Sequence, residues 1–257
     1  MAAQRRLLVK VPEILAVFWV VKVITTALGE SVSDFCVHQF DPVYAVAAGG
    51  IAFALAMLGQ FVARSYVAWV YWLAVAMVAI FGTMSADVLH VKFNVSYLAS
   101  TVLFSVVLAV VFVAWHIAER TLSIHSIDTR RRELFYWATV LSTFALGTAA
   151  GDMTAKTLGL GYAGSTLLFL GLIAIPAIGW RYSAMPAVPA FWFAYIVTRP
   201  LGASIADWFG KPAASGGMGL GDGVVSGVLA VMLVALVAYL TLTRVDVRHD
   251  PADVPAP

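Results

Sequence analysis

"FWVVKVITTALGESVSD", residues 18–34, starts apolar enough to enter a lipid bilayer yet carries Lys22, Glu30 and Asp34. The same arrangement returns three times without a gap, as "YWLAVAMVAIFGTMSAD" (71–87), "YWATVLSTFALGTAAGD" (136–152) and "FWFAYIVTRPLGASIAD" (191–207). Each copy reads aromatic, Trp, nine residues, Gly, four residues, Asp. The shared positions are Trp19, Trp72, Trp137 and Trp192; Gly29, Gly82, Gly147 and Gly202; Asp34, Asp87, Asp152 and Asp207. Fourfold agreement at fixed spacing marks an internal repeat, which fixes the architecture before any local motif does.

Around these segments, the 257-residue chain is 61% hydrophobic and only 12% charged. Its mean hydropathy of +0.90 lies far outside the range of soluble domains. A helix needs about 20 apolar residues to cross the hydrocarbon layer. Eight such spans are predicted, at about 12–36, 43–63, 67–89, 96–118, 134–156, 163–182, 187–209 and 223–243. Each motif helix is followed by a plainer apolar helix ending at Arg64, Arg120, Arg181 or Arg244. The expected fold is therefore an all-α integral membrane protein, with eight transmembrane helices arranged as four parallel two-helix repeats in a pseudo-symmetric bundle. The repeats fall at about 10–65, 66–122, 130–184 and 185–245 of a single membrane domain, with 246–257 expected to be a disordered cytoplasmic tail.

The basic residues give a topology. With a cytoplasmic N-terminus, eleven Lys and Arg fall on the inner side (Arg5, Arg6, Lys10, Arg64, Arg120, Arg130, Arg131, Arg132, Arg181, Arg244 and Arg248), against Lys92, Lys156 and Lys211 outside. That bias places both termini in the cytoplasm of a bacterial inner-membrane protein. It also makes the basic clusters reporters of topology, so no nucleic-acid partner is expected; the partners are the lipid bilayer, a small ion or solute and, in one version, a second copy of the chain. The basic and apolar start of the chain is expected to be retained as the first span, because no small-x-small cleavage site precedes Lys22. The single cysteine, Cys36, permits no internal disulfide.

The chain resembles a family of bacterial tandem-repeat membrane proteins grouped as a repeat of unknown function and often labelled uncharacterised membrane-anchored proteins. The resemblance is carried by "KVPEI" (10–14), "ERTLSIHSIDTRRRELFYW" (119–137), "TFALGTAAGD" (143–152) and "TRPLGASIAD" (198–207). It implies four two-helix repeats, each with a recurring Trp, and implies no particular activity.

The intramembrane charges carry the functional expectation, since such residues are costly in lipid and face a bundle interior or a wet cavity. All four motif helices run in the same direction, so Asp34, Asp87, Asp152 and Asp207 share one depth near the outer face. That is the C-terminal end of each helix, where the macrodipole disfavours an anion by about 0.3–1 kcal/mol. At helical spacing the polar faces read Thr26, Glu30, Asp34, His38; Thr148, Asp152, Lys156; and Arg199, Ala203, Asp207, Lys211. Glu30 and the four Asp residues are the candidate ion-binding groups. Asp34 with His38, and Asp87 with His90, offer oxygen and imidazole ligands suited to Mn²⁺, Zn²⁺, Fe²⁺ or Ni²⁺. Lys156 and Lys211 are placed to neutralise Asp152 and Asp207. Lys22 and Arg199 lie too deep to snorkel: they are expected either to form a buried salt bridge to Glu30 or an Asp, or to bind an anion or set the charge of a proton carrier. The motif glycines are expected to let helices approach closely. Pro200, beside Arg199, is a candidate kink.

Two loops attract motif readings. "GKPAASGGMGLGDG" (210–223) lacks the Lys-Ser/Thr ending of a phosphate loop and is read as a lid or tight turn with Asp222 capping the last span. "ERTLSIHSIDTRRREL" (119–134) is read first as a lipid-surface segment, and second as a partner site or latch involving Glu119, Arg120 and His125. No zincin helix, nucleophile elbow, paired-cysteine motif or cofactor box is present, so no enzyme is expected. The favoured function is a secondary transporter, in one version an exporter, of a divalent metal cation coupled to protons. The alternatives are a passive channel with an acidic ring, and a haem- or metal-binding redox protein using His38 and His90. A structural or sensory role stands behind these.

Overall fold

The computed structural model describes residues 9–247. Arg5, Arg6, Arg248, His249 and the tail from 248 onward lie outside the described residues. Eight long helices account for the fold: α1 (Ala16–Gln39), α2 (Pro42–Val62), α3 (Ala68–Val91), α4 (Tyr97–Glu119), α5 (Arg130–Asp152), α6 (Gly161–Arg181), α7 (Ala187–Gly210) and α8 (Asp222–Thr243), with no strand among the described residues. Local chemistry sets several of the boundaries. Asp41 accepts from the Val43 amide at 2.9 Å ahead of Pro42, which suits the first helical position. Ser96 caps α4 and Thr129 caps α5 through the amides of Ala99 (3.2 Å) and Arg132 (3.3 Å). Arg120 and Arg244 end α4 and α8 in the left-handed conformation.

The helices divide into two sets. In α1, α3 and α5 the most apolar window is 67%, 56% and 67% buried, whereas in α2, α4, α6 and α8 it is 17–22% buried. The motif helices α1, α3, α5 and α7 close a ring in which each packs on the next and α7 returns to α1. Each outer helix packs mainly on the motif helix that follows it: α2 on α3, α4 on α5, α6 on α7, and α8 back on α1. The two helices of one repeat, α1 with α2 or α3 with α4, touch far less. Adjacent repeats are thus sewn together by exchanged packing more than each is closed on itself.

Seven of the eight helices are long and apolar enough to cross a membrane, which fits a multi-pass membrane protein. Of the eight expected spans, α7 is the exception. It carries Thr198, Arg199, Ser204 and Asp207, all buried against its neighbours. A helix walled off by protein does not need the composition that lipid contact demands. It also runs unbroken through Pro200. α5 continues past Asp152 into a π-helical turn, Met153–Thr157, a local widening that breaks the regular bond pattern and often occurs at functional sites. At the start of the expected tail, Asp246 is held in place: it is buried, accepts from the Tyr66 hydroxyl, and offers its carbonyl to the Glu13 amide at 2.9 Å.

The ring is drawn tight at the four motif glycines. A Cβ on Gly29 would overlap Ala79, one on Gly82 would press on Phe144, one on Gly147 would overlap Arg199, and one on Gly202 would overlap Thr26 and the Ala27 amide. Each seated residue stands three places before the glycine of its own motif. Membrane helices without a strong hydrophobic drive to associate gain most from such close approach. Gly202→Ala is expected to destabilise the protein by about 1–3 kcal/mol through overpacking, whereas Gly227→Ala on α8, with nothing within 4 Å of its Cβ position, should leave stability unchanged or slightly raised. Denaturant unfolding in detergent measures both.

Candidate functional site

With the glycines as the common reference, residues four apart on each inner helix stack into layers along the axis of the ring. Seven places before the glycine stand Lys22, Val75, Val140 and Tyr195; three before, Thr26, Ala79, Phe144 and Arg199; one after, Glu30, Thr83, Thr148 and Ala203. All twelve are buried. Five places after come the four Asp residues, of which Asp152 and Asp207 are buried and Asp34 and Asp87 half-buried.

Arg199 fills the centre. Its side chain is fully buried, and the two N–H groups of one terminal nitrogen are shared among Glu30 Oε2 (3.0 Å), Thr148 Oγ1 (2.9 Å) and Thr83 Oγ1. The other donates to the Thr26 carbonyl at 3.2 Å, and the guanidinium carbon lies 5.0 Å from the Phe144 ring centroid. One residue from each of the other three repeats, at the same register, therefore cradles the cation supplied by the fourth. Lys22 is different. Its amine is fully buried, has no hydrogen-bond acceptor among the described residues, and lies over the faces of Phe144 (4.2 Å) and Tyr195 (4.1 Å), where the ring quadrupoles attract a cation. Arg199 thus forms the expected salt bridge to Glu30, and Lys22 forms none among the described residues.

Comparison with known proteins bears on these repeats directly. A family described as a repeat of unknown function (DUF347) matches residues 70–121, 135–185 and 190–246. The chain belongs to this family. Neither curated proteins nor solved structures give a match. The three DUF347 matches cover the segments carrying Thr83, Thr148 and Arg199. The first motif segment, which supplies Lys22, Glu30 and Asp34, lies outside them.

Beyond the Arg199 layer the carboxylates of the repeats gather at one end of the ring. Oxygens of Glu30, Asp34 and Asp207 all lie within 4.8 Å of one another, and Asp87 and Asp152 are within electrostatic range of the same group. Lys156 pairs with Asp152 at 2.7 Å as its spacing predicts. Lys211 does more than its spacing predicts: it reaches Asp207 at 3.8 Å, contacts Asp34 of the neighbouring inner helix more closely, and lies 3.6 Å from Asp222. Asp87 makes no ion pair or hydrogen bond among the described residues.

Neither histidine belongs to the group formed by Glu30, Asp34 and Asp207. His38 is exposed, 3.7 Å from Asp222. His90 bonds the Val95 carbonyl at 3.0 Å through Nδ1, lies 3.4 Å from Ser100 Oγ, and packs on Tyr97, so it closes the α3–α4 turn and is not directed at Asp87. His38 thus contacts Asp222, and His90 contacts the Val95 carbonyl. Asp222 begins α8 without a side-chain capping bond and faces Lys211 instead. In the 119–134 segment, Glu119 pairs with Arg131 (2.6 Å) and Arg132 (2.8 Å), so this stretch is tied internally.

Several participants carried no chemical flag in the sequence. Thr83 and Thr148 are ordinary threonines in apolar helices, and only their register with Glu30 in the aligned segments could have marked them. Glu133, buried at the opposite end, pairs with Lys10 at 2.8 Å across 123 residues of sequence. Removing one partner of a buried pair leaves an uncompensated charge at a cost of about 3–5 kcal/mol, while replacing both with apolar groups is close to neutral. Arg199→Met alone should therefore destabilise by about that amount, and Glu30→Met combined with Arg199→Met should recover most of the loss. Thermal unfolding of single and double variants in detergent checks the cycle.

Proposed function

We propose that the protein is a secondary transporter of the bacterial inner membrane, a pseudo-symmetric bundle of parallel repeats with both termini cytoplasmic, that exchanges a divalent metal cation for protons. The observation that carries this reading is the convergence of Glu30, Asp34 and Asp207 within 4.8 Å. That separation matches two metal–oxygen bonds of about 2.1–2.6 Å placed across a divalent ion. Neither histidine belongs to that group, so the proposed ligands are oxygens only. Among the first-row cations that suits Mn²⁺ better than Zn²⁺ or Ni²⁺. Lys211 sits on two of the carboxylates at the mouth of a glycine-rich loop, as an internal cation that an arriving metal displaces. Asp87, with no ion pair among the described residues, is a further carboxylate beside the site.

The axis below the cluster is filled by Arg199 and its threonine cradle, which favours a carrier over an open acidic channel. In proteoliposomes with an imposed pH gradient, the wild type should accumulate Mn²⁺ reported by a trapped fluorescent dye. Asp34→Asn/Asp207→Asn should lower the initial rate at least tenfold. Equal rates for the two proteins overturn the reading, and Mn²⁺ current independent of the pH gradient would indicate a channel.

A further inference from the structure

At the end of the bundle opposite the carboxylates the axis is packed with rings. Tyr71 meets Trp72 and Trp137 at centroid distances of 5.2 and 5.7 Å, and Trp192 meets Tyr195 at 5.5 Å. Among the rings themselves a hydrated metal ion meets only phenol oxygens. A proton needs only a succession of hydroxyl groups, and the rings supply one. The Tyr66 hydroxyl donates to Asp246 Oδ2 just beyond the end of α8, and the Tyr66 ring packs on Tyr71 at 5.6 Å. The Tyr71 hydroxyl is hydrogen-bonded to that of Tyr136 in the fully buried interior. Tyr195 lies next, in electrostatic range of Tyr136, its hydroxyl buried and unpartnered among the described residues and its ring face 4.1 Å from Lys22 Nζ. Packing alone would be served as well by phenylalanine, which stands at the Tyr71 and Tyr136 register in the other two repeats, as Phe18 and Phe191.

We infer that Tyr66, Tyr71, Tyr136 and Tyr195 form a proton route between Asp246 and the buried amine of Lys22. At each phenol one O–H bond forms on the side from which the proton arrives, and the original O–H bond breaks on the side by which it leaves. No phenolate accumulates, and the hydroxyl rotates back for the next transfer. At Lys22 the proton adds to the nitrogen lone pair of the free amine, and in the reverse direction an N–H bond of the ammonium gives it up to Tyr195. At the other end Asp246 has the capacity to take it: Oδ1 is buried and unpartnered among the described residues, and burial pushes the carboxyl above its ordinary range against the opposing Tyr66 hydrogen bond. The resting chain is open between Tyr66 and Tyr71, where only the rings touch, and on both sides of Tyr195, whose hydroxyl bonds neither Tyr136 nor the Lys22 amine among the described residues; these gaps limit leakage until the rings turn. Charge arriving on Lys22 repels Arg199, its electrostatic neighbour, and so acts on the Arg199–Glu30 pair at the edge of the carboxylate cluster. The inference deepens the exchange reading and depends on it only for the identity of the coupled cation.

The test measures protons and metal separately in proteoliposomes of the full chain. A potassium diffusion potential with a trapped pH dye reads proton entry without any metal, and Mn²⁺ addition reads coupled proton movement. Tyr71→Phe/Tyr136→Phe is expected to lower both proton signals at least tenfold and to leave Mn²⁺ binding by titration calorimetry unchanged. Tyr195→Phe should do the same, and because its hydroxyl has no partner among the described residues the substitution breaks no bond, which protects the test against misfolding. Tyr239→Phe on the outer face of α8 should match the wild type. Proton movement unchanged in both tyrosine variants overturns the route, as does wild-type proton movement no greater than that of empty vesicles in both assays. Potential-driven proton entry that needs the tyrosines, with no Mn²⁺ flux, leaves the route standing and removes the metal reading.

Discussion

Close approach at four glycines is the constraint from which the rest of the structure follows. Because Gly29, Gly82, Gly147 and Gly202 each seat a residue of the next inner helix, the four helices are held at one register. Side chains at equal distances from the glycine must then meet at the axis. A bulkier residue at any seat would push the facing pair of helices apart and misalign every layer on either side. The outer helices add a second restraint: each lies on the following inner helix, and α8 on α1, so no repeat can slide without moving its neighbour's packing.

Register explains why one arginine can be tolerated in such a place. A guanidinium in the bilayer interior is costly unless its charge and donors are met. The layer one residue past the glycines meets the charge and one terminal nitrogen with Glu30, Thr83 and Thr148, while Ala203 leaves room in the repeat that supplies Arg199 itself and Nε has no partner among the described residues. The four motif segments thus fill one register with different side chains. Three contribute acceptors, and the fourth contributes the cation and a small residue. Lys22, two layers farther in, receives aromatic faces but no acceptor among the described residues. The axis therefore changes character along its length, from carboxylates through a neutralised arginine to an isolated amine and a phenol-lined aromatic floor.

Much of the architecture was legible because it is repetitive. The aromatic–Trp–Gly–Asp spacing identified the inner helices, hydropathy bounded all eight to within a few residues, and helical periodicity put Glu30 and Asp34 on one face. Contacts between repeats were harder to read. The spacing pairs Lys211 with Asp207, but its closest partner is Asp34, 177 residues away. The proximity of His38 and His90 to acidic residues in sequence suggested metal ligands. A helix end, however, turns residues three or four places on toward loop and solvent as readily as toward the axis, and both histidines lie there. The exchange of packing between repeats, which decides what meets at the centre, leaves no local trace in composition or periodicity.

The filled axis also constrains how any transport can proceed. An ion bound among Glu30, Asp34 and Asp207 meets the Arg199 cradle next and the Lys22 layer after it, and both are closed by side chains fixed through the glycine seats. Passage then requires the inner helices to move against one another, since rotation of a single side chain leaves the adjacent layer shut. The two departures from regular helical bonding in the inner ring lie on facing helices, one beyond the Asp layer and the other beside the Arg199 layer. The π turn Met153–Thr157 follows Asp152 on α5, and Pro200 on α7, which removes a backbone donor beside Arg199, packs against Gly147 and Gly151 of α5. Irregular bonding lowers the cost of bending at these points. The α5–α7 junction is accordingly where alternation of access would cost least, and it lies beside both the carboxylate cluster and the arginine that terminates it.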